Sequence, residues 1–341
     1  MKQTENLLEM LLREMPALTD IHLTDGEVIR VRLYGELRAT QITSPDIADT
    51  FLSLLSDEKQ NILRETGAAD TAASLCGRRF RLHLYHAGGK LAAALRLLPD
   101  IGAFPKDPDE NWLFHVKQFQ TGLVLVTGPT GSGKTTTLAH IIEDINQNRA
   151  CHVICVEDPA EYLYVSQKAL IRQREIGRDV SDFAEGVRAA MREDPDVLVI
   201  GELRDSETMA AALTAAETGH LVLATLHDRS ALEAIGRIVH SFPPEKEAEI
   251  RLTLAAVLRS VAAQVLWHHG EDTALFREIL VNIPPVAHII REGRDPQLIG
   301  YMEMGQKGMR TMKQAVDRYL SEVVLTPEEE RRLRIGIGLS V

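Results

Sequence analysis

A glycine-rich loop between an apolar run and a helical pattern constrains the fold of this 341-residue chain more than any other feature. The run GLVLV leads into Gly128-Pro129-Thr130-Gly131-Ser132-Gly133-Lys134-Thr135, which fits the spacing G-x4-G-K-[ST]. Such glycines let successive backbone N–H groups curl around phosphate oxygens, and the following helix adds the positive end of its dipole. The sequence therefore predicts a strand, a phosphate-binding loop and a helix, and the flanking patterns disfavour a turn that binds nothing.

The residue types in the loop predict a nucleotide and a divalent cation as its ligands. Lys134 would reach the β- and γ-phosphates, and the Thr135 hydroxyl would hold Mg2+. Three consecutive threonines begin a helix poorly, so they indicate positions where hydroxyls matter more than helix propensity. We expect ATP, together with Mg2+, to contact Gly128, Pro129, Thr130, Gly131, Ser132, Gly133, Lys134, Thr135 and Thr136.

The pattern along the chain predicts two domains. Beyond residue 112, apolar strand-like runs alternate with longer helical patterns, as in a parallel α/β sheet with crossover helices. The preceding stretch PDIGAFPKDPDEN has too many prolines for a helix and too few apolar residues to pack. We predict an N-terminal α+β domain at 1–100, a linker or hinge at 101–112 and an α/β domain at 113–341, whose part 245–341 is mainly helical.

Within the N-terminal domain, the period of the apolar residues alternates between helix and strand. Leucines at helical spacing in the first fifteen residues predict an amphipathic helix, and a two-residue period from Asp20 predicts strands joined by hairpins. Residues 45–66 return to the helical period, with Ser56 as a cap and Gly67 as a stop. The runs RRFRLHLYHA and KLAAALRLL predict two further strands.

Carboxylates follow two predicted strands, at the edge where open parallel sheets bind their ligands. The run VICV ends in the segment 157–161, EDPAE, and the run VLVI ends in Gly201-Glu202. Gly201 stands where such strands usually end in Asp, so Mg2+ would depend on Thr135, phosphates and water, with Glu202 acting through water. The general base is Glu161 or Glu202, and we favour Glu161. For either carboxylate taken singly, a solvated charge at a strand end is the alternative.

One histidine and three arginines complete the candidate site. His227 ends the predicted strand HLVLATLH, where it would sense the γ-phosphate or link subunits, whereas we interpret His220 as structural. Arg79 and Arg81 share one face of a strand, and Arg96 closes the next strand. These arginines are either solvated or act on a neighbouring subunit's nucleotide, as arginine fingers do.

Charge and cysteine content exclude several other classes. With 38 Lys and Arg against 49 Asp and Glu, the net charge is −11, and no basic patch for a nucleic acid stands out. Three cysteines without a secretory signal indicate the cytoplasm, and we interpret Cys151 and Cys155 as core residues rather than half a metal site. No apolar stretch reaches the roughly 18 residues of a membrane span, so any membrane role requires a partner.

Several longer runs resemble those of the secretion and type IV pilus motor ATPases, and within that family the PilT-like retraction branch. GPTGSGKTTTLA resembles the Walker A box, VEDPAEY the acidic box, and DPDVLVIGELRDSETMAAALTAAETGHLVLATLH the Walker B and histidine boxes. Near the start, the segments 20–23 and 35–38 are similar to the family's opening strands. The segments 285–292 and 308–312 are similar to the part that distinguishes retraction from assembly motors.

The resemblance implies a small PAS-like N-terminal domain, a RecA-like P-loop NTPase domain with a helical C-terminal segment, and a homohexamer with nucleotide between the two domains. It also implies docking on an inner-membrane pilus platform protein, where hydrolysis-driven domain motions would move pilus subunits. Two positions depart from the family pattern. Asp228-Arg229 follow His227 where small hydroxyl residues are usual, and Arg78 adds an arginine before Arg79.

These patterns together predict a cytoplasmic, Mg2+-dependent ATPase that powers type IV pilus retraction, peripheral at the inner membrane through its partner. A traffic ATPase of a secretion or pilus assembly system is the alternative within the same class. A regulator that binds nucleotide without hydrolysing it is an alternative from another class. The net charge of −11 disfavours a RecA-like translocase of nucleic acid.

Overall fold

A computed structural model describes residues 2–98, 101, 106–269 and 272–339. The chain packs into two compact units. The first comprises Met1–Phe104, Asp158–Tyr164 and Glu175–Ser181, and the second comprises Pro105–Glu157, Val165–Arg174 and Asp182–Val341. Two segments from beyond residue 150 therefore belong to the first unit, which no sequence pattern predicted.

Parts of the predicted N-terminal domain and linker lie outside the described residues, namely 1, 99–100 and 102–105. Within the predicted linker at 101–112, Asp107 and Asp109 are buried, and a helix begins at Glu110. The domain boundaries at 100 and 113 and the hinge role of the linker stay predictions.

The first unit is a helix-backed antiparallel sheet. Its elements are α1 (Lys2–Glu14), β1 (Leu18–Thr24), β2 (Val28–Leu33), β3 (Glu36–Thr43), α2 (Ala48–Leu52), α3 (Asp57–Thr66), β4 (Ala68–Leu75), β5 (Arg78–Ala87) and β6 (Lys90–Leu97). The strand order is β3-β2-β1-β6-β5-β4. Alternate residues such as Phe80, Leu82 and Leu95 face a core shared with Leu8 and Leu11 of α1, so the opposite sheet face is left for polar side chains.

Local sequence signals set the ends of α3. Ser56 Oγ accepts a hydrogen bond from the Lys59 N–H, and Gly67 ends the helix with a left-handed φ of 81°. These are the cap and the stop that the sequence predicts, because a hydroxyl satisfies an open N–H group and glycine adopts positive φ without strain.

The second unit is built on a mostly parallel sheet. Its first elements are α4 (Glu110–Gln118), β7 (Gly122–Thr127), α5 (Lys134–Asn148), β8 (His152–Glu157), β9 (Leu170–Glu175), α6 (Phe183–Ala190), β10 (Val197–Ile200), α7 (Ser206–Glu217), β11 (Leu221–Thr225) and α8 (Ala231–His240). The following elements are α9 (Glu247–Val257), β12 (Leu258–His269), β13 (Asp272–Val281), α10 (Pro284–Glu292), α11 (Leu298–Glu303), α12 (Met312–Glu322) and α13 (Pro327–Gly336).

The order of the strands brings the C-terminal ends of four parallel strands together. The sheet runs β13-β12-β7-β11-β10-β8-β9, and β7, β8, β10 and β11 are parallel to one another. Every residue of β7, β10 and β11 is buried, which agrees with their continuous apolar sequences. The loops that follow these strands therefore lie at one edge of the sheet. Cys155 is fully buried within β8, as expected for a core residue, whereas Cys151 precedes the strand and is only half-buried.

The region 245–341 is mainly helical, but it also contains one long hairpin that the sequence pattern did not predict. In this region α9 to α13 are helical, but β12 and β13 pair as antiparallel strands and β12 adds to β7 in parallel. An apolar run such as SVAAQVLW fits a helix or a strand, and here the pairing with β7 decides between them. Within the described ranges, no helix combines the length and the apolar character needed to cross a membrane.

Candidate active site

Three glycines shape the loop that follows β7. Gly128, Gly131 and Gly133 have positive φ angles of 146°, 81° and 84°. At Gly128 space also excludes a side chain, because a Cβ atom would overlap the Gln264 carbonyl oxygen and lie 2.7 Å from Ser132 Oγ. The loop therefore depends on glycine both for its backbone conformation and for its close packing against β12.

Lys134 is the first residue of α5, and its side chain folds back over the loop. Its Nζ donates to the carbonyl oxygens of Gly128 at 2.7 Å and Pro129 at 3.1 Å. Ser132 Oγ is buried and has no hydrogen-bond partner among the described residues. Since α5 begins here, the open N–H groups of its first turn also face the loop. The lysine, the buried hydroxyl and the helix N-terminus together suit a phosphate group.

A hydrogen-bonded chain connects Lys134 to the loops after β10 and β11. His227 Nδ1 lies 3.4 Å from Lys134 Nζ, and His227 Nε2 lies 3.1 Å from Glu202 Oε1. The second oxygen of Glu202 accepts from Arg204 Nε at 2.8 Å. Because a lysine ammonium can only donate, these partners assign the proton of a neutral His227 to Nε2. The structure thus brings together Lys134, Glu202 and His227.

Gly201 stands where strands of this kind usually end in Asp, and it lies close to the backbone of β8. Its N–H donates to the Val156 carbonyl at 2.8 Å, and its own carbonyl accepts from Thr225 Oγ1. A Cβ atom would lie 3.3 Å from the Val156 oxygen and 3.4 Å from Glu157 Cα. Packing against β8 therefore disfavours a side chain at this position.

The residues at both ends of β11 have well-defined partners. Thr127 Oγ1 donates to the Asp228 carbonyl at 2.6 Å, and burial raises the pKa of the Asp228 carboxyl. Arg229 N donates to Glu233 Oε2 at 2.8 Å. At the other end, His220 Nδ1 lies 2.9 Å from the Ala215 carbonyl, in the structural position that we expect for this residue.

The predicted base and two predicted arginines lie in the first unit. Arg81 Nη1 lies 3.4 Å from Glu161 Oε1. Arg79 Nη2 donates to the Ala160 carbonyl at 3.1 Å and lies 3.4 Å from Glu175 Oε1. The two arginines therefore hold the segment Asp158–Tyr164, which includes Glu161, through both a backbone and a carboxylate contact.

Arg96 belongs to the same sheet face but has another partner. It stands directly opposite Arg81 in the pairing of β5 with β6, and its Nε lies 2.8 Å from Asp20 Oδ1. Its side chain is more exposed than that of Arg81, at 57% against 41%. The structure thus groups Arg79, Arg81 and Arg96 on one polar face of the sheet.

The donor groups in the second unit suit phosphate oxygens, and a divalent cation bound there would depend mostly on phosphate and water. Thr135 lies in the first turn of α5, beside the loop. Glu202 already contacts Arg204 and His227. Within the described part of the chain, no group of three or more His, Cys, Asp or Glu side chains could hold a metal ion. Such an arrangement would suit Mg2+, because this ion usually keeps water and phosphate oxygens as ligands.

Sequence reasoning missed a buried polar cluster behind the loop. Gln264 of β12 and Arg277 of β13 are completely buried, and Arg277 pairs with Asp107 and Asp109. Arg310 also pairs with Asp109. Two positions in the sequence could have revealed this cluster, namely the single amide in the apolar run SVAAQVLW and the single arginine in LFREILV. A polar residue in such a run needs a buried partner.

Comparison with known proteins finds one matching family and relatives that are similar over most of the chain. The family described as type II/IV secretion system protein matches residues 93–300. The uncharacterized protein YggR of Escherichia coli is 43% identical over 316 residues, covering 89% of this chain and 95% of YggR. The type IV pilus retraction ATPase PilT of Pseudomonas aeruginosa is 34% identical over 320 residues, covering 92% of this chain and 93% of PilT.

A solved structure is similar over the same length. The crystal structure of the pilus retraction motor PilT with bound ADP has a TM-score of 0.81 and 36% identity, with 95% of each chain covered. These similarities confirm the predicted mixed α/β fold and the resemblance stated from the sequence. The family match extends over more than half of the chain, and the chain therefore belongs to the type II/IV secretion system protein family.

Proposed function

We propose that this chain is an ATPase that powers the retraction of type IV pili. The observation that carries the proposal is the convergence of Lys134, His227 and Glu202 beside the phosphate loop. A relative named as a pilus retraction ATPase supports it, since its similarity covers 92% of this chain. The ADP bound to the similar PilT structure supports a nucleotide as the ligand.

In the proposed reaction the loop binds the β- and γ-phosphates of ATP. Lys134 exchanges its bonds to the Gly128 and Pro129 carbonyls for bonds to phosphate oxygens, while backbone N–H groups of the loop hold the remaining charge. Thr135 would hold Mg2+ together with the phosphates and water, and Glu202 would act on it through water. The ion would supply further positive charge. When Lys134 turns to the phosphates, its contact with His227 breaks, so His227 and Glu202 respond to the bound phosphate.

We infer that Glu161 rather than Glu202 orients the attacking water. Both oxygens of Glu202 have close partners, at 2.8 Å from Arg204 and 3.1 Å from His227. Glu161 has a longer contact of 3.4 Å with Arg81, whose side chain is partly exposed and easily displaced. The attacking water must donate a hydrogen bond to the carboxylate that orients it, and a carboxylate with fewer donors around it has more room for that bond.

The proposal includes an assembly of six copies in the cytoplasm, docked on a pilus platform protein of the inner membrane. In such a ring, Arg79, Arg81 and Arg96 would neutralise phosphate charge as the reaction proceeds, as arginine fingers do. Their grouping on one sheet face supports a shared role.

Deleting the gene in a bacterium that makes type IV pili tests the proposed function. The mutant should carry more surface pili than the wild type, because pili are still assembled but not withdrawn. The wild-type gene should restore the normal number, counted by electron microscopy. Lys134→Ala should fail to restore it and should lower the turnover of purified protein by about a hundredfold or more, since a charge at the phosphates is lost.

Lys313→Ala is the matched control, because it removes an exposed lysine on α12. Near-normal turnover by Lys134→Ala would contradict the ATPase assignment. A wild-type protein that binds ATP without turnover would be a regulator instead. Deletion mutants without pili would indicate an assembly motor, and normal pili with a secretion defect would indicate a secretion ATPase.

A further inference from the structure

The side chain of Gln264 joins the phosphate loop to the helix that follows it. Its Nε2 donates to the Ser132 carbonyl at 2.6 Å, and its Oε1 accepts from Thr137 Oγ1 at 2.9 Å. Arg277 Nε also donates to Oε1, at 3.2 Å. Gln264 has no exposed surface, so these bonds are protected from competition by water.

The bond to Ser132 fixes the direction of a peptide group inside the loop. In a trans peptide the C=O of one residue and the N–H of the next point in opposite directions. When the Ser132 carbonyl is directed at Gln264, the N–H of Gly133 is therefore directed away from it, to the other side of the loop. The orientation of the Gly133 N–H group thus depends on the amide of Gln264, a residue 132 positions after Ser132 in the chain.

Arg277 keeps Gln264 in this orientation. Its guanidinium makes a two-bond pair with Asp107, at 2.5 Å and 2.7 Å, and donates to Thr137 Oγ1 at 2.7 Å. Burial opposes ionisation of Asp107, but the hydrogen bonds and charge of Arg277 outweigh it, so the pKa of Asp107 is lowered. The Trp112 ring lies 5.3 Å from the guanidinium. Each charged group therefore has a partner of opposite charge.

Stability alone does not explain this cluster. Apolar side chains of the same volume often replace a buried ion pair without loss of stability. A polar cluster is needed, however, to present an amide donor to the Ser132 carbonyl and to restrain that amide from the other end.

We propose that Gln264, restrained by Arg277, is a positioning residue that orients the peptide between Ser132 and Gly133 for phosphate binding. The inference rests on the proposed function in that the loop binds a nucleotide. Gln264 does not touch the phosphate itself, and it acts through the backbone of the loop.

Gln264→Glu tests the proposal with minimal change of shape. The carboxylate still accepts from Thr137 and Arg277, but it cannot donate to the Ser132 carbonyl and repels it. We expect the Kd for ADP, measured by titration calorimetry, to rise about tenfold, and the KM for ATP to rise more than kcat falls. Gln120→Glu is the control, since it adds the same charge at the far end of β7, where Arg149 already donates to this side chain.

Thr137→Val provides a second variant in case Gln264→Glu does not fold. It removes the hydroxyl between Gln264 and Arg277 and leaves the bond to Ser132 in place, so we expect a smaller rise of the Kd for ADP, about threefold. A lowered melting temperature with unchanged ADP affinity, in whichever variant folds, would reduce Gln264 to a structural role and overturn the proposal. A wild-type chain that does not bind ADP would instead overturn the proposed function.

Discussion

Gly128 and Gly131 both adopt positive φ angles in the phosphate loop, but their surroundings differ. A Cβ atom at Gly131 would have no atom of a more distant residue within 4 Å, whereas at Gly128 it would overlap the Gln264 carbonyl. Gly131 is thus required only for its backbone conformation, whereas Gly128 is required both for its backbone conformation and because a side chain has no space there.

The two positions predict different losses of stability on substitution by alanine. Gly131→Ala should cost about 1–2 kcal/mol of unfolding free energy, which is the cost of a left-handed backbone for an ordinary residue. Gly128→Ala should cost about 3 kcal/mol or more, because β12 must also move away. Urea unfolding of both purified variants measures the difference, and equal losses would contradict the packing described for Gly128.

The residues of the loop can be predicted because their chemistry is encoded in eight consecutive positions. Gln264 cannot, since its role depends on β12 lying beside β7, a pairing between residues more than a hundred positions apart. Glu161 and Arg81 are both candidates from the sequence, but their mutual contact requires the structure, because Asp158–Tyr164 joins the first unit.

Among the elements, β13 and α8 are connected by one buried carboxylate. Glu278 of β13 accepts a hydrogen bond from the N–H of Ala231, the first residue of α8, at 2.8 Å. Burial raises the pKa of Glu278, and the N–H groups of Ala231 and Met312 only partly oppose this effect. The ionised carboxylate is therefore a cost to the folded state, although its hydrogen bonds order the start of α8.

This raised pKa predicts a pH-dependent effect of Glu278→Gln. The folded chain binds the proton more tightly than the unfolded chain, so stability decreases as the pH rises from the ordinary value of 4.5 through the raised pKa. The amide avoids ionisation and still accepts the Ala231 bond. We expect the melting temperature of the Glu278→Gln variant to exceed that of the wild type by about 2 °C at pH 8, and this difference to vanish near pH 4.5.

Glu249→Gln, on the exposed side of α9, serves as the control for this measurement. A variant that is less stable than the wild type at pH 8 would contradict the assigned cost of the buried charge.

The sequence predicts the ends of a helix where capping residues act on neighbouring backbone groups. It does not predict strands whose conformation depends on pairing with a distant part of the chain. Ser56 and Gly67 bound α3 as predicted, because each acts on neighbouring backbone groups. The sequence pattern does not predict the hairpin of β12 and β13, because their apolar residues do not alternate clearly. Their pairing with β7 and with each other decides the conformation.

At the scale of the whole molecule, the net charge of −11 disfavours a motor that acts on nucleic acid, because binding to phosphate backbones relies on basic residues. We expect double-stranded or single-stranded DNA to change ATP turnover by less than about twofold at low salt, where phosphate-backbone binding is strongest. A coupled assay of phosphate release with and without DNA measures this. Stimulation that disappears with added salt would instead indicate a nucleic-acid translocase.

The position of β12 beside β7 also has a consequence for the order in which the protein is made. A ribosome releases the phosphate loop long before it releases Gln264, which lies 132 residues after Ser132. A nascent chain therefore carries all eight residues of the loop while the neighbouring strand is still missing from the sheet. The loop therefore gains its contact with Gln264 only when more than three quarters of the 341-residue chain has been made. We expect the nucleotide site to reach its full affinity late in translation.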